Sequence, residues 1–296
     1  MDGVLVVDKP EGPTSHDVVA VARRALGEKR IGHTGTLDPM ATGVLPLACG
    51  RATRLVRFLT ASDKDYEATI RFGLTTSTYD ITGEETGRTG AEPSREALLT
   101  ALDALSGDYL QMPPAYSAKK VGGRRAYELA RNAEEVTLTP VPVRVSRVAL
   151  RELSGALATV TLTSSAGFYV RSFANSLGEL LATGACLAGL RRTRSGDFGL
   201  EGAVSLDALD GDDTLANWLI PMDELLPAVP SVRLTGEGLL RVTHGRQIEP
   251  AHLAPGPQDP AYAADWTRLL DTTGALVAMA TPGTAPGSLH PSVVLI

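Results

Sequence analysis

Two cysteines are all that this chain of 296 residues contains, Cys49 and Cys186, each alone in an apolar setting. That argues against a disulfide framework and suits small buried side chains in a reducing compartment. No uninterrupted apolar run approaches ~20 residues, which argues against a membrane span. Met1-Asp2-Gly3-Val4 lacks a basic segment followed by a long apolar one, so no secretory leader is expected and the cytoplasm is the expected compartment. Also missing are the GxGxxG and GxxxxGK[ST] loops and any Cys/His spacing suited to zinc. No cofactor and no metal are therefore expected.

Basic charge is short as well. The formal net charge is −6, which at first sight argues against a nucleic-acid partner. The deficit is uneven, however. Residues 197–226 hold eight acidic side chains and no Lys or Arg, whereas residues 119–151 hold eight basic against three acidic. Arg191, Arg192 and Arg194 form a second basic knot. Binding follows the local field and not the whole-chain sum, although plain solvated faces would give the same pattern. Charge leaves both readings open.

What is present is enough for a large core: 43% of residues are hydrophobic and 21% charged, over a length that suits two domains. Val4–Val7 reads as a buried strand. A helix follows Ser15, with Val18, Val19, Ala22, Ala25 and Leu26 on one face and Gly27 as its stop. Glu67–Phe72 alternates as a strand. Pro93-Ser94 opens a helix carrying Leu98, Leu99, Leu102 and Leu105. Val141, Val143 and Val145 alternate before the phase slips to Val148 and Leu150, as a bulge would make it. Val160 and Leu162 continue the sheet, and Arg171–Leu181 reads as a helix. Strands and helices mix without regular βαβ alternation, which predicts an α+β fold. Residues 111–136, basic with Tyr116 and Tyr127 interleaved, read as an insertion reaching over a ligand. Beyond a proline-bounded break at 226–230, short strands at Val232–Leu234, Leu239–Val242, Leu276–Ala280 and Val293–Ile296 suggest a small β-barrel. The expected domains are thus 1–228 and 229–296.

The most informative stretch is Gly32-His33-Thr34-Gly35-Thr36-Leu37-Asp38-Pro39-Met40-Ala41-Thr42-Gly43. It sets one carboxylate, Asp38, in a loop whose glycines permit close approach and whose proline biases Asp38 towards extended backbone. A tight turn would use the same residues. The segment resembles the catalytic loop of the TruB family of tRNA pseudouridine synthases. Four further motifs run in order with it: Gly3–Pro10 with Gly12, Ser15 and Asp17; Ser62–Tyr66 with Phe72-Gly73 and Thr76–Asp80; Pro113–Lys120 with Gly123, Tyr127 and Ala130-Arg131; and Gly167–Ser172 with Leu190–Gly196. Together they cover roughly the first 200 residues.

The resemblance implies a pseudouridine-synthase catalytic domain with a mixed, mainly antiparallel sheet. It implies isomerisation of a flipped-out uridine in the T-arm of tRNA, at position 55, by a monomer that needs neither cofactor nor guide RNA. Asp38 is then the nucleophile, attacking C1′ or C6. Arg171 is its partner, since a guanidinium holds a carboxylate in a two-pronged geometry. Tyr66 stacks on the uracil and relays a proton, Tyr169 and Leu190 line the pocket, and His33 occupies the space that the base leaves. Asp80, Lys119, Lys120, Arg124 and Arg125 complete the substrate-binding set. Phe168 departs from the family pattern, which has a small or hydroxylated residue before the tyrosine. Leu240–Ile248 is similar to a PUA-type RNA-binding module, although a purely structural barrel fits as well. Two rival readings remain: a glycosidase with Asp80 as second acid, and a non-catalytic RNA-binding protein.

Overall fold

The computed structural model describes residues 1–117, 119–121, 124–125, 138–209, 215–255 and 264–296, the side chains of 120, 121, 124 and 125 excepted. The chain opens with β1 (Gly3–Lys9), α1 (Ser15–Leu26), β2 (Ile31–His33), β3 (Ala41–Cys49), α2 (Val56–Thr60) and β4 (Lys64–Phe72). A small hairpin, β5 (Leu74–Thr76) and β6 (Glu85–Arg88), leads to α3 (Arg95–Ala104) and β7 (Gly107–Gln111). Then come β8 (Lys120–Val121), β9 (Arg124–Arg125), β10 (Val141–Ser154), β11 (Leu157–Ser164), α4 (Val170–Leu180) and β12 (Ala185–Ser195). Short strands β13 (Phe198–Gly199), β14 (Val204–Ser205) and β15 (Ile220–Pro221) close this part.

The main sheet runs β14-β1-β3-β12-β4-β11-β10-β7, with β2, β13 and β15 attached to its sides. It is mixed: β1 pairs β14 and β12 pairs β3 in parallel, and the other pairings are antiparallel. This is the α+β architecture expected. The bulge expected in β10 lies between Val145 and Arg147.

Side-chain alternation along the strands builds a core on each face. On β1 and β3, Leu5, Val7, Leu45, Leu47 and Cys49 point to α1, where Val18, Val19, Ala22 and Leu26 complete the cluster. Thr14 caps α1 with a capping box, and Gly27 ends it in the left-handed region. On β4, Tyr66, Ala68, Ile70 and Phe72 share one face and pack beneath α3 and α4 with Leu98, Leu102, Phe173 and Leu177. Each large apolar side chain so buried contributes about 1.5–3 kcal/mol.

The tail forms β16 (Ser231–Arg233), α5 (Gly236–Thr243), β17 (Thr267–Leu270), β18 (Leu276–Pro282) and β19 (Leu289–Val294), with strand order β16-β17-β18-β19. Isolated bridges join Leu234 to Leu253 and Ile248 to Leu289. The strand expected at Leu239–Val242 is instead part of α5. Thr235 caps that helix through the Gly238 N–H, and Gly238 and Val242 give it a buried side. The tail has a core of its own around Val232, Leu234, Val242 and Ile248. It also shares one with the main sheet, where Leu276, Met279 and Leu295 meet Val4, Val6, Leu55 and Leu59. Arg51 and Arg54 donate to the carbonyls of Leu295 and Val294, and the Arg57 guanidinium lies 4.3 Å from the Trp266 ring centre.

Candidate active site

The loop between β2 and β3 is fastened from below. Ser15 Oγ donates to Leu37 O at 2.9 Å and accepts from Leu37 N at 2.8 Å, while Asp38 O accepts from Ala41 N at 3.0 Å. Lys9 is fully buried at the end of β1 and donates to the carbonyls of Ala41 (2.7 Å), Pro10 (2.9 Å) and Pro39 (3.3 Å). Burial pushes its pKa down to about 8, opposed by the Asp38 charge. Gly43 is where the loop rejoins the sheet, with φ +100°; a Cβ there would sit 2.1 Å from Arg192 O. Only glycine fits that conformation and that gap.

Asp38 emerges with its side chain 35% exposed, against 7% for Arg171. Arg171 Nε stands 2.9 Å from Asp38 Oδ2 and Nη2 donates to Oδ1 at 3.4 Å, the two-pronged geometry expected. Arg171 is the second residue of α4, where the helix dipole disfavours a cation. Its surroundings offset that: Thr78 O and Tyr116 O accept from it at 3.1 and 2.8 Å, and Asp80 Oδ2 lies 3.7 Å from Nη1.

Asp80, expected to meet substrate, is instead buried behind Arg171. Its Oδ1 is taken up by Thr78 Oγ1, Thr82 Oγ1 and the Thr82 N–H at 2.8, 2.6 and 3.0 Å. The carboxylate so enclosed faces the arginine from its buried side.

Tyr66 lies on β4 directly across from Arg192 of β12. Arg192 is 1% exposed; its Nε donates to Val44 O at 2.7 Å and its Nη2 to Gly35 O at 3.1 Å. Burial raises the Tyr66 pKa, the Arg192 charge opposing it, so the phenol keeps its proton at neutral pH. Tyr169 is half-buried at the start of α4, and burial again raises its pKa. Leu190 packs between the α1 and α4 cores, across from Ala41 and Ala68. His33 ends β2 and meets His16 edge-to-face, ring centres 5.4 Å apart. Phe168 is buried against Phe173, centres 5.8 Å apart.

The insertion expected at 111–136 begins inside the scaffold, for Gln111, Pro113, Pro114 and Ser117 are buried. Further on, β8 pairs β9 with Lys120 opposite Arg125, and Lys119 Nζ donates to Thr139 O at 3.0 Å. The side chains of Lys120, Arg124 and Arg125 lie outside the described residues, as do Gly123, Tyr127 and Ala130-Arg131. Sequence reasoning had given no role to Lys9, Gln111 or Arg192. Lys9 and Arg192 carry a signal, a cation after the apolar run Val4–Val7 and one in a basic knot. Gln111 carries none.

This geometry has relatives. The model for the N-terminal domain of TruB family pseudouridylate synthases matches residues 23–170, and that for the C-terminal domain of tRNA pseudouridylate synthase B matches 171–227. The tRNA pseudouridine synthase B of Solibacter usitatus is 44% identical over 299 aligned residues, covering 100% of both chains. That of Syntrophus aciditrophicus is 40% identical, over 95% of this chain and 91% of the relative. Among solved structures, an H/ACA RNP bound to a substrate RNA containing 2'-deoxyuridine superposes with TM-score 0.74 at 24% identity, over 99% of this chain and 85% of the other. A Cbf5-Nop10-Gar1 complex gives TM-score 0.75 at 25% identity, over 99% and 85%. These two share the fold. The matched models and the full-length relatives place the chain in the TruB family of tRNA pseudouridine synthases.

Proposed function

We propose that this pseudouridine synthase acts on the uridine at position 55 in the T-arm of tRNA, with Asp38 as nucleophile on a flipped-out base. The observation that carries the reading is the reachable Asp38 carboxylate held by a buried two-pronged Arg171. A carboxylate needs no added base to attack. The N1–C1′ bond breaks, the uracil turns while held, and C5 bonds to C1′. C5 gives up its proton and N1 gains one, so the product is an isomer and no co-reactant is consumed.

Extruding the base costs a few kcal/mol, and stacking on an aromatic ring returns ~1–3 kcal/mol. Tyr66 provides that surface. The Arg192 charge beside its hydroxyl favours the ionised phenol against burial, which suits a proton relay. Tyr169 and Leu190 form the remaining walls, and His33 fills the gap in the RNA. The basic hairpin from Lys119 to Arg125 lies along the stem phosphates. The tail adds an RNA-binding surface of PUA type, and the protein works as a monomer without guide RNA. A glycosidase is disfavoured, because the oxygens of Asp80, its candidate second acid, are turned to Thr78, Thr82 and Arg171.

Tritium release from 5-tritiated uridine in tRNA, with mapping of pseudouridine, tests the reading. Asp38→Asn keeps the shape without the nucleophile, so turnover should vanish while filter binding to tRNA persists. Turnover within about tenfold of the parent, or free uracil as product, would sink it.

A further inference from the structure

Helix α4 begins without a side-chain cap of its own: Tyr169 stands at the N-cap and supplies none. Its end is held from another element. Gln111, the last residue of β7, is 2% exposed. Its Oε1 accepts the Tyr169 N–H at 2.8 Å and its Nε2 donates to Tyr169 O at 3.1 Å. That carbonyl also accepts the first helical bond, from Phe173 N at 3.1 Å. One side chain therefore fixes both polar groups of the residue where the helix starts, and with them the direction in which the helix leaves.

Two further ties follow in the same place. Ser172 Oγ donates to Met112 O at 2.7 Å, and Arg171 Nη2 donates to Tyr116 O at 2.8 Å. Tyr169, Arg171 and Ser172 are thus each bound to the stretch 111–116, which leads into the basic hairpin. Arg171 reaches Asp38 from this helix turn, and its 2.9 Å contact leaves no slack: a shift of the turn by about 1 Å opens it, and misplacement of that size costs on the order of a hundredfold in rate.

We propose that Gln111 is a positioning residue of the isomerisation, aiming Arg171 at Asp38 by clamping the peptide groups of Tyr169. The proposal rests on Asp38 and Arg171 acting as described above. It also makes the root of the basic hairpin part of the catalytic framework, so RNA seated there bears on the same helix turn.

Single-turnover rates at saturating T-arm hairpin, with hairpin Kd measured separately, test this. Gln111→Met keeps length and removes both hydrogen bonds. It should slow the saturating step about 10–100-fold and leave Kd within about twofold. Gln111→Glu keeps the acceptor for the Tyr169 N–H but sets a second acceptor against Tyr169 O, so it should recover only part of the rate. In an Arg171→Lys background Gln111→Met should add less than about threefold, because the two act through one contact. A parent-like rate for Gln111→Met, or its full loss repeated in the Arg171→Lys background, would overturn the proposal. If Gln111→Met does not fold, Ser172→Ala removes one neighbouring tie and should slow the step several-fold, and an unchanged rate there counts against it equally. Rates taken in parallel on unfractionated tRNA separate the readings. A parent protein that modifies another uridine defeats the T-arm assignment, while the variant-to-parent ratio still decides the role of Gln111.

Discussion

Asp38 and Asp80 share one guanidinium. Arg171 holds the first at 2.9 Å on the open side of the site and faces the second at 3.7 Å on the buried side. The arrangement lets a charged arginine sit with 7% exposure at a helix start, where desolvation and the dipole both oppose it. Of the two acids, Asp38 is the one open to solvent, and Asp80 faces the guanidinium from the buried side.

Arg171→Lys should therefore fail although it keeps the charge, since an ammonium cannot span both oxygens of Asp38. Losing one charge-assisted hydrogen bond of about 2 kcal/mol predicts roughly a thirtyfold slower single-turnover rate. Asp80→Asn should also slow turnover without weakening RNA affinity, because it removes the buried countercharge. Parent-like rates in both variants would mean that the pairing is incidental.

Lys9 links the loop to pH. Its three carbonyl acceptors need all three protons of the ammonium. With the folded pKa brought down to about 8 by burial, the rate should fall as pH rises through that value. The stability term runs the other way. The unfolded chain keeps this proton up to about 10.4, so between the two pKa values it binds more protons and the folded state gains stability from Lys9 as pH rises. A pH–rate profile whose alkaline limb near pH 8 persists in Lys9→Met would exclude the assignment.

The tail should not be separable. Cutting near Pro227 removes Leu276, Met279 and Leu295 from the core they share with Val4, Leu55 and Leu59. Three large side chains at about 1.5–3 kcal/mol each amount to much of a typical domain's stability. The shortened chain is expected to be insoluble or to melt far below the parent, as thermal unfolding would show. A soluble fragment with the parent's melting temperature would contradict the shared core.

Replacing Lys119, Lys120, Arg124 and Arg125 together by alanine should flatten the dependence of log affinity on log salt. Each lost phosphate contact removes about 0.7–0.9 from the slope, so the four should reduce it by about 3. An unchanged slope would place the RNA elsewhere.

Much of this molecule is set by local sequence. The capping box at Thr14 and Asp17 with Gly27 as stop determines α1, and strict alternation determines the buried face of β4. The slipped phase after Val145 marks a real bulge. The loop around Asp38 is legible from its motif, and of its glycines Gly43 is the one demanded by backbone geometry. Local pattern failed in the tail, where four apolar-flanked residues at Leu239–Val242 read as a strand; the Thr235 cap and packing onto β18 and β19 make them helical. What tertiary structure alone decided are the contacts that span long stretches of chain. Gln111 meets Tyr169 across 58 positions, Arg192 meets Val44 across 148, and Asp80 comes behind Arg171 only once the turn at 77–82 is pinned to Leu187. A buried polar side chain leaves no periodic mark in sequence, because its partners are backbone groups that every residue possesses.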